Sequence, residues 1–444
     1  MKKRTAELIL KDPEKFAHHD RVFLNNPVVM QGMGLAPLVV VATTGQNGLM
    51  LAAAVTLLLV PSRVLACLLS RLVPLRDEEP TPEQLQKKLL PRALLYAASA
   101  AVVYLAAYPI LNFVFGTGLL NLGIYLPMLV VEPLLTYRFG RVQETVHKAV
   151  SKGVRITVGY ALLLLVVGVV REWLSLGTVF GAPVGRWALL PLAKMPAGGF
   201  IVLGILCAIW RAAAAKRKEY LKKGSTGYPD RALPEGGEPR TVKEVVSSSA
   251  VFFSYALLAI FAQNAVFTRA LGVSRMVQLV GDDRTSSALF GMMLCITQVL
   301  VAPVVFLAGR FIAPLDNRAQ LRPLVYIASI AVVCLAEHLV LWLLRSLPRR
   351  AQLLRIVPLA ALNSGVLGTV LVERTQSFTL GQSLGFGLGS GLGYVLAVLL
   401  VTEARHRLRS KAIPKAFRGL PITLVYIGVL ALAIYGFTGH SVIL

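Results

Sequence analysis

Asn25-Asn26-Pro27-Val28-Val29-Met30-Gln31-Gly32-Met33-Gly34-Leu35-Ala36-Pro37-Leu38 opens an apolar block near residues 27–44, and its landmarks return later in the chain. Asn26-Pro27-Val28 with Gly34-Leu35-Ala36 recurs as Asn264-Ala265-Val266 with Gly272-Val273-Ser274. Pro127 and the apolar run after it recur around Pro358. Gly and Pro interrupt the first and fourth blocks of the first half (Gly32, Gly34, Pro37; Gly123, Pro127, Pro133). A broken helix exposes backbone polar groups, which hydrocarbon tolerates only where protein or a cavity covers them. Duplicated, inverted halves with broken helices are common in membrane carriers and ion-translocating assemblies, whose functional site lies near the midplane where the repeats meet. Ordinary kinks, frequent in membrane helices, are the other reading of these residues.

Outward from that motif, the whole chain has the same character. Its 444 residues are 56% hydrophobic and only 15% charged, with a mean hydropathy of +0.67. Soluble domains carry about 25% charge and about 45–50% apolar residues. A soluble enzyme, a secreted disulfide scaffold and a disordered tail protein are excluded. Apolar blocks lie near 27–44, 48–72, 91–114, 120–137, 154–174 and 187–210, then near 248–273, 286–312, 323–345, 353–372, 381–402 and 419–438. Each is about as long as the roughly 20 residues that cross a bilayer. The expected fold is an all-α polytopic membrane protein of about 12 transmembrane helices, in two inverted six-helix halves with broken first and fourth helices. The expected organisation is a membrane half over 1–211, a polar basic linker over 212–244, and a second membrane half over 245–444.

Charge orients the halves. Lys and Arg outnumber Asp and Glu by 46 to 22, a formal net charge of +24. The basic residues gather in short segments between apolar blocks, as in cytoplasmic loops, and no basic domain stands apart to bind nucleic acid. In the first half the charged connections are the N-terminus, Arg76–Arg92, Arg138–Arg155 and Arg211–Lys223, which puts both of its ends in the cytoplasm. In the second half the strongly basic connections, Arg345–Arg355 and Arg405–Arg418, follow the third and fifth spans, so this half starts outside. Six spans return the first half inside, yet the second begins outside. A polar linker cannot cross hydrocarbon, so either one block is a re-entrant or broken element or an additional crossing is hidden in 245–280, the favoured place because that stretch is longer than one span needs. Met1–Arg21 has charges but no apolar core or cleavage site, so no removed signal peptide is expected.

Specific residues point to a family. Asn25-Asn26-Pro27-Val28-Val29 through Gly34-Leu35-Ala36-Pro37-Leu38 resembles the N-terminal signature of the Rnf E protein and of the D component of sodium-pumping NADH:quinone reductase. So do Gly123-Ile124-Tyr125-Leu126-Pro127-Met128-Leu129-Val130-Val131 and Val170-Arg171-Glu172-Trp173-Leu174 with Gly177-Thr178-Val179-Phe180-Gly181. The second half resembles the sister protein, Rnf A or the E component of the reductase. Its matches are Pro358-Leu359 with Asn363-Ser364-Gly365-Val366-Leu367-Gly368, Pro414-Lys415-Ala416-Phe417-Arg418-Gly419, and Gly436-Phe437-Thr438-Gly439. The chain reads as a natural fusion of two oppositely oriented Rnf/Nqr membrane subunits. The resemblance implies the membrane core of a redox-driven pump for Na+ or H+ in the bacterial inner membrane. Other Rnf/Nqr-like subunits would be its partners and would supply flavin and iron–sulfur centres. A repurposed secondary transporter of an ion or small solute, and a non-catalytic scaffold, are the alternatives.

In the family, two cysteines from each of the paired proteins hold an intramembrane iron–sulfur cluster. The matching positions here are Ala36, Pro133, Ser274 and Ser364, and none is Cys. Such clusters require Cys thiolates, occasionally with His, so no cluster and no other cofactor is expected in this chain. Cys67, Cys207, Cys295 and Cys334 lie singly in apolar stretches without metal-type spacing. The family's acidic residue in the third helix survives as Glu337 but is Tyr108 in the first half, and Arg171-Glu172 has Arg405-His406 as its counterpart.

Ionisable groups inside spans cost about 2.5–3.5 kcal/mol or more and are functional candidates by default. Glu132, beside Pro133 in a broken helix, and Glu337 are candidates for an ion or proton path, or are carboxylates satisfied locally. His338 reads as structural, and Arg171, Glu172 and Glu403 lie at span ends where snorkelling explains them. Asn26, Asn264 and Asn363 would either offer amide oxygens to an ion or cap backbone freed by the breaks, capping being the expectation. Gly381–Gly393 contains G-x-G spacings but opens a span, so close helix packing is expected there rather than phosphate binding.

Overall fold

The computed structural model describes residues 20–73, 82–129, 145–184, 188–222, 250–281, 286–315, 318–344, 347, 349–408 and 413–438. In the first half, short helices α1 (Pro27–Gln31) and α2 (Leu35–Val40) flank the first break. They lead into α3 (Gly45–Leu69), α4 (Pro82–Phe115), α5 (Val146–Leu176) and α6 (Pro196–Lys222). The second half has α7 (Ala250–Ile260), α8 (Val273–Gly281), α9 (Ser287–Ile312) and α10 (Arg318–Leu343). It continues with α11 (Arg350–Ala361), α12 (Ser364–Thr375), α13 (Leu380–Leu408) and α14 (Leu420–Thr438). The helix α6 runs on past residue 211, so Lys216-Arg217-Lys218 is helical.

Among the described residues seven helices are long and apolar enough to cross a membrane, or eight if α11 and α12, bent by 45°, are one broken span and not a re-entrant loop. A shorter apolar helix, Leu420–Gly436 within α14, adds to these, short of the twelve crossings expected from the sequence. The first half's fourth block is described only to residue 129, so its continuation lies outside the described residues. Large apolar side chains face outward, with Phe113 91% and Phe311 80% exposed. Water would penalise such surface, whereas lipid tails accept it.

Small residues set the helix contacts, because lipid offers no hydrophobic gain and helices must instead approach closely. A Cβ on Gly48 of α3 would meet the Leu164 carbonyl of α5 at 2.7 Å, and one on Gly168 would meet Thr44 and Gly48. The glycine run opening α13 serves two neighbours. Gly389 and Gly393 lie against Ala256 and Ala259–Ile260 of α7, while Gly387 and Gly391 lie against Gln298 of α9. The run is packing surface inside one continuous helix, as its position in a span required.

These contacts also give the direction of each element. Gly159 and Gly168 of α5 meet Arg21 and Thr44 in turn, so the first broken span runs parallel to α5. Likewise α7 runs parallel to α13. Between the halves the sense reverses. Gly428 of α14 lies on Ala197 and Ile201 of α6, Gly204 of α6 lies on Pro421 and Val425, and Arg211 donates to the Arg418 carbonyl at 2.7 Å. The halves are thus inverted copies, with α6 and α14 antiparallel at their seam. Of the stretch expected to hide an additional crossing, the described part from Ala250 onward forms two short helices, α7 and α8, joined by the irregular segment 261–272. The segment 261–272 between them is held against α13 through Asn264 with Gly393 and Tyr394 with Gly272. The connection between the halves falls in residues 223–249, outside the described residues.

Candidate functional site at the meeting of the two breaks

The two breaks have the same backbone wiring, residue for residue. In the first, Asn26 caps α1 by accepting the Val28 N–H at 3.0 Å, and Asn26 Nδ2 donates to the carbonyls of Val22 and Gly159. Gly32 and Gly34 take left-handed φ values of 67° and 66°, which glycine adopts without a Cβ penalty. The Gly32 and Met33 N–H groups close back onto Val28 and Pro27. In the second break Asn264 accepts from Val266 and Phe267 and donates to Ile260 and Gly393. Ala270 and Gly272 have φ of 54° and 73°, and the Ala270 and Leu271 N–H groups close onto Val266 and Ala265. Asn363 shares the capping part of this arrangement, accepting the Gly365 N–H at the start of α12.

A second feature of the motif lies far away in sequence. Gly159-Tyr160 on α5 and Gly393-Tyr394 on α13 occupy equivalent places beside the breaks. Each glycine's carbonyl takes the asparagine amide, and each tyrosine hydroxyl donates to the carbonyl of the second break glycine, Tyr160 to Gly34 at 2.9 Å and Tyr394 to Gly272 at 3.4 Å. Sequence reasoning did not single out these tyrosines. The signal was present as a Gly-Tyr pair in the fifth span of each half.

The breaks interlock, three of the following four bonds joining the two halves and the Gly272–Ser364 bond lying within the second. The Leu35 N–H, at the start of α2, donates to Ser274 Oγ at 3.1 Å, and the Gly272 N–H donates to Ser364 Oγ at 3.2 Å. Tyr125 Oη donates to the Arg269 carbonyl at 3.0 Å, and Gln278 Nε2 donates to the Gln31 carbonyl at 3.3 Å. Three of the four positions that match the family's cluster ligands are therefore brought to one buried place: Ala36, Ser274 and Ser364. The fourth, Pro133, lies outside the described residues together with Glu132.

The donor set there does not fit a thiolate-held cluster. Ala36 presents a methyl group, and the Ser274 and Ser364 hydroxyls accept the N–H groups at the starts of α2 and α8. The four cysteines are free and sit in α3, α6, α9 and α10. Among the described residues no group of three or more His, Cys, Asp or Glu side chains could hold a metal ion.

Charged residues fall into two kinds. Arg171 was expected to snorkel to the surface, but it is fully buried and holds six backbone carbonyls. These are Leu38, Val39 and Ala42 at the end of α2, and Ala193, Lys194 and Met195 before α6. Freed carbonyls at a broken helix end need donors that lipid cannot supply, and a guanidinium brings five. Glu172 next to it accepts from the Gly45 N–H at 2.7 Å, from Thr178 and from the Gly181 N–H. It thereby fastens a small hairpin, Thr178–Val179 paired with Ala182–Pro183, over the start of α3. Glu403 is exposed, as a span-end carboxylate should be.

Glu337 is of the other kind. It is buried in α10, with both carboxylate oxygens 2.9 and 3.0 Å from Thr297 Oγ1 of α9. That hydroxyl also lies 2.8 Å from the Met293 carbonyl, so it can donate to an ionised Glu337 or accept from a protonated one. His338, on a different face, is half-buried, and its Nδ1 has no hydrogen-bond partner among the described residues. Tyr108, the first-half counterpart of Glu337, packs on Tyr104 with ring centroids 5.7 Å apart.

The family described as "Rnf-Nqr subunit, membrane protein" matches the chain twice, over residues 17–207 and 252–441. The chain is 31% identical over 215 residues to the E component of the ion-translocating oxidoreductase complex of Shewanella sp. (strain ANA-3), covering 44% of this chain and 85% of that protein. The protein of the same name from Shewanella sp. (strain W3-18-1) is 31% identical over 222 residues, 46% of this chain and 88% of the relative. That from Shewanella baltica (strain OS185) is 32% identical over 215 residues, with 44% and 85% covered. A relative of this kind corresponds to less than half of the chain, which has room for two. With two matched halves, inverted and interlocked through the same motif, the chain belongs to the Rnf-Nqr membrane-subunit family.

Proposed function

We propose that this chain is an integral membrane core subunit of an Rnf/Nqr-like ion-translocating electron transport complex. It provides in one polypeptide the paired, inverted halves through which Na+ or H+ moves, without an iron–sulfur cluster of its own. The duplicated break is the observation that carries the reading. Two half-helix starts face each other in a buried place, where backbone wiring is complete and the midplane can be remodelled by small movements. The names of the relatives support membership of such a complex. Flavin and iron–sulfur centres then belong to partner subunits, and the setting is the bacterial inner membrane.

Affinity purification of the tagged chain from its native membrane tests the assignment. Flavoprotein and iron–sulfur partners should copurify, and metal analysis of the chain alone should find iron far below one cluster per chain. Uptake of a solute by the isolated chain in proteoliposomes, with no redox partners bound, would establish the transporter reading in its place. Within the complex, Glu337→Gln should depress ion movement while leaving expression and folding intact, because the amide keeps the Thr297 contact but carries neither proton nor charge. Unchanged flux in Glu337→Gln and Glu132→Gln removes both as path residues.

A further inference from the structure

We propose that the second half contains a buried binding site for a sodium ion between Glu373 of α12, Gln298 of α9 and the small-residue face of α13. Glu373 is only 2% exposed at the end of the bent span. Among the described residues its carboxylate makes no ion pair. The adjacent Arg374 adds a favourable charge, while its guanidinium lies over the Phe306 ring (5.5 Å) and against Gly309 and forms no direct ion pair with Glu373. A buried carboxylate without a direct ion pair in a membrane span is expensive unless it is neutralised.

Its neighbours are oxygen atoms. A Cβ placed on Gly387 would lie 3.5 Å from Glu373 Oε1 and 3.2 Å from the Gln298 carbonyl oxygen, so the missing side chain leaves a gap lined by both. One turn along α13, Gly391 faces Gln298 Oε1 in the same way at 2.8 Å. Gln298 is 4% exposed, and its Oε1 is buried with no hydrogen-bond partner among the described residues. Its Nε2 donates to Thr369 and Ser390, whose hydroxyls lie 2.8 Å from each other, which aims Oε1 the opposite way. One turn before Gly387, the Ser383 hydroxyl is likewise buried, beside the Glu373 carboxylate. Pro303 lacks the N–H that would bond the Val299 carbonyl, leaving a further acceptor on α9 beside Gln298.

Carboxylate, amide oxygen, main-chain carbonyl and hydroxyl are the donors a hard alkali cation takes, and they outnumber the single sulfur nearby, Cys295 Sγ, which lies 2.8 Å from the Gly391 Cβ position. One positive charge would balance the one carboxylate. The proposal takes its purpose from the reading of the chain as part of an ion-translocating complex, but its test does not depend on that reading.

The test uses the full-length purified chain in detergent and dicyclohexylcarbodiimide, which modifies carboxyl groups in apolar surroundings, with the modified residues located by peptide mass spectrometry. Glu373 should be labelled. Sodium should slow its labelling about tenfold at roughly ten times the half-protecting concentration, while choline at equal ionic strength leaves the rate unchanged. Gln298→Met, which keeps the volume and removes Oε1, and Gly387→Ala, which fills the gap, should each raise the half-protecting concentration about fivefold or more, ~1 kcal/mol. One of the two eluting as a folded species suffices. Absence of labelling at Glu373, equal rates in sodium and choline, or unaltered protection in a folded variant overturns the site. Ion movement by an assembled complex enters none of these readouts, so the site and the assignment to such a complex stand or fall separately.

Discussion

Arg171 and Glu172 stand side by side on α5 and serve the ends of two different helices. The guanidinium closes the carbonyl end of α2, and the carboxylate receives the first N–H of α3. Each buried acceptor left without a donor costs about 1–3 kcal/mol. Arg171→Lys keeps the charge but replaces a planar fork by a point donor, so it should destabilise the chain by at least ~3 kcal/mol. Thermal unfolding in detergent followed by size-exclusion would show that loss, and Arg171→Met should be worse. A variant that melts with the parent protein would mean that the carbonyls find other donors. From the sequence, the Arg-Glu pair was visible but its role was not, because a span-end position equally suits snorkelling. What decided the matter was the chain returning at 193–195 to cover it.

At the scale of the element, the broken first span is one device made twice, with one substitution that tests it. The first break has Gly32 where the second has Ala270, both left-handed. An L residue pays roughly 1–2 kcal/mol there, partly offset by the greater chain entropy lost by glycine. Ala270→Gly should therefore stabilise the second half by about 0.5–1 kcal/mol, and Gly32→Ala should cost a similar amount, since only strain opposes it. A Cβ at Gly32 would come no nearer than 3.4 Å to Leu420. Paired melting curves of the two variants check the opposite signs. Gly168→Ala has a different cause and a larger expected effect of about 1–3 kcal/mol, because its Cβ would meet the Thr44 carbonyl at 2.5 Å. The Asn and Gly positions of the breaks were legible because a cap and a left-handed turn are local demands. Gly159-Tyr160 and Gly393-Tyr394 were not, because their partners are distant along the chain and only packing of the fifth span against the first reveals them.

At the scale of the molecule, the halves hold each other through Leu35 with Ser274, Tyr125 with Arg269, and the α6–α14 seam. Residues 1–222 and 245–444, expressed together as separate chains with a tag on one, should copurify in detergent. Expressed singly, each should aggregate or be degraded, because its broken helix ends would be left uncovered. Recovery of either half alone as a stable monomer would show that the seam is dispensable.

Composition, block length and loop charge by themselves determined a polytopic helical membrane protein of two inverted halves, because lipid admits only internally bonded helices and basic loops report their side. The short recurring motif placed the breaks, and with them the family. Only the tertiary structure decided what the breaks are for. It put Ala36, Ser274 and Ser364 in one buried spot, where the Ser274 hydroxyl takes the Leu35 N–H from the other half and the Ser364 hydroxyl takes the Gly272 N–H. It broke 250–281 into two short helices held against α13. It also gathered Glu373 and Gln298, unremarkable as single letters, around the gap at Gly387. The physical reason is common to all three. A helix's own bonds are settled within four residues, whereas the partner of a freed or buried polar group is chosen by whichever distant segment packs against it.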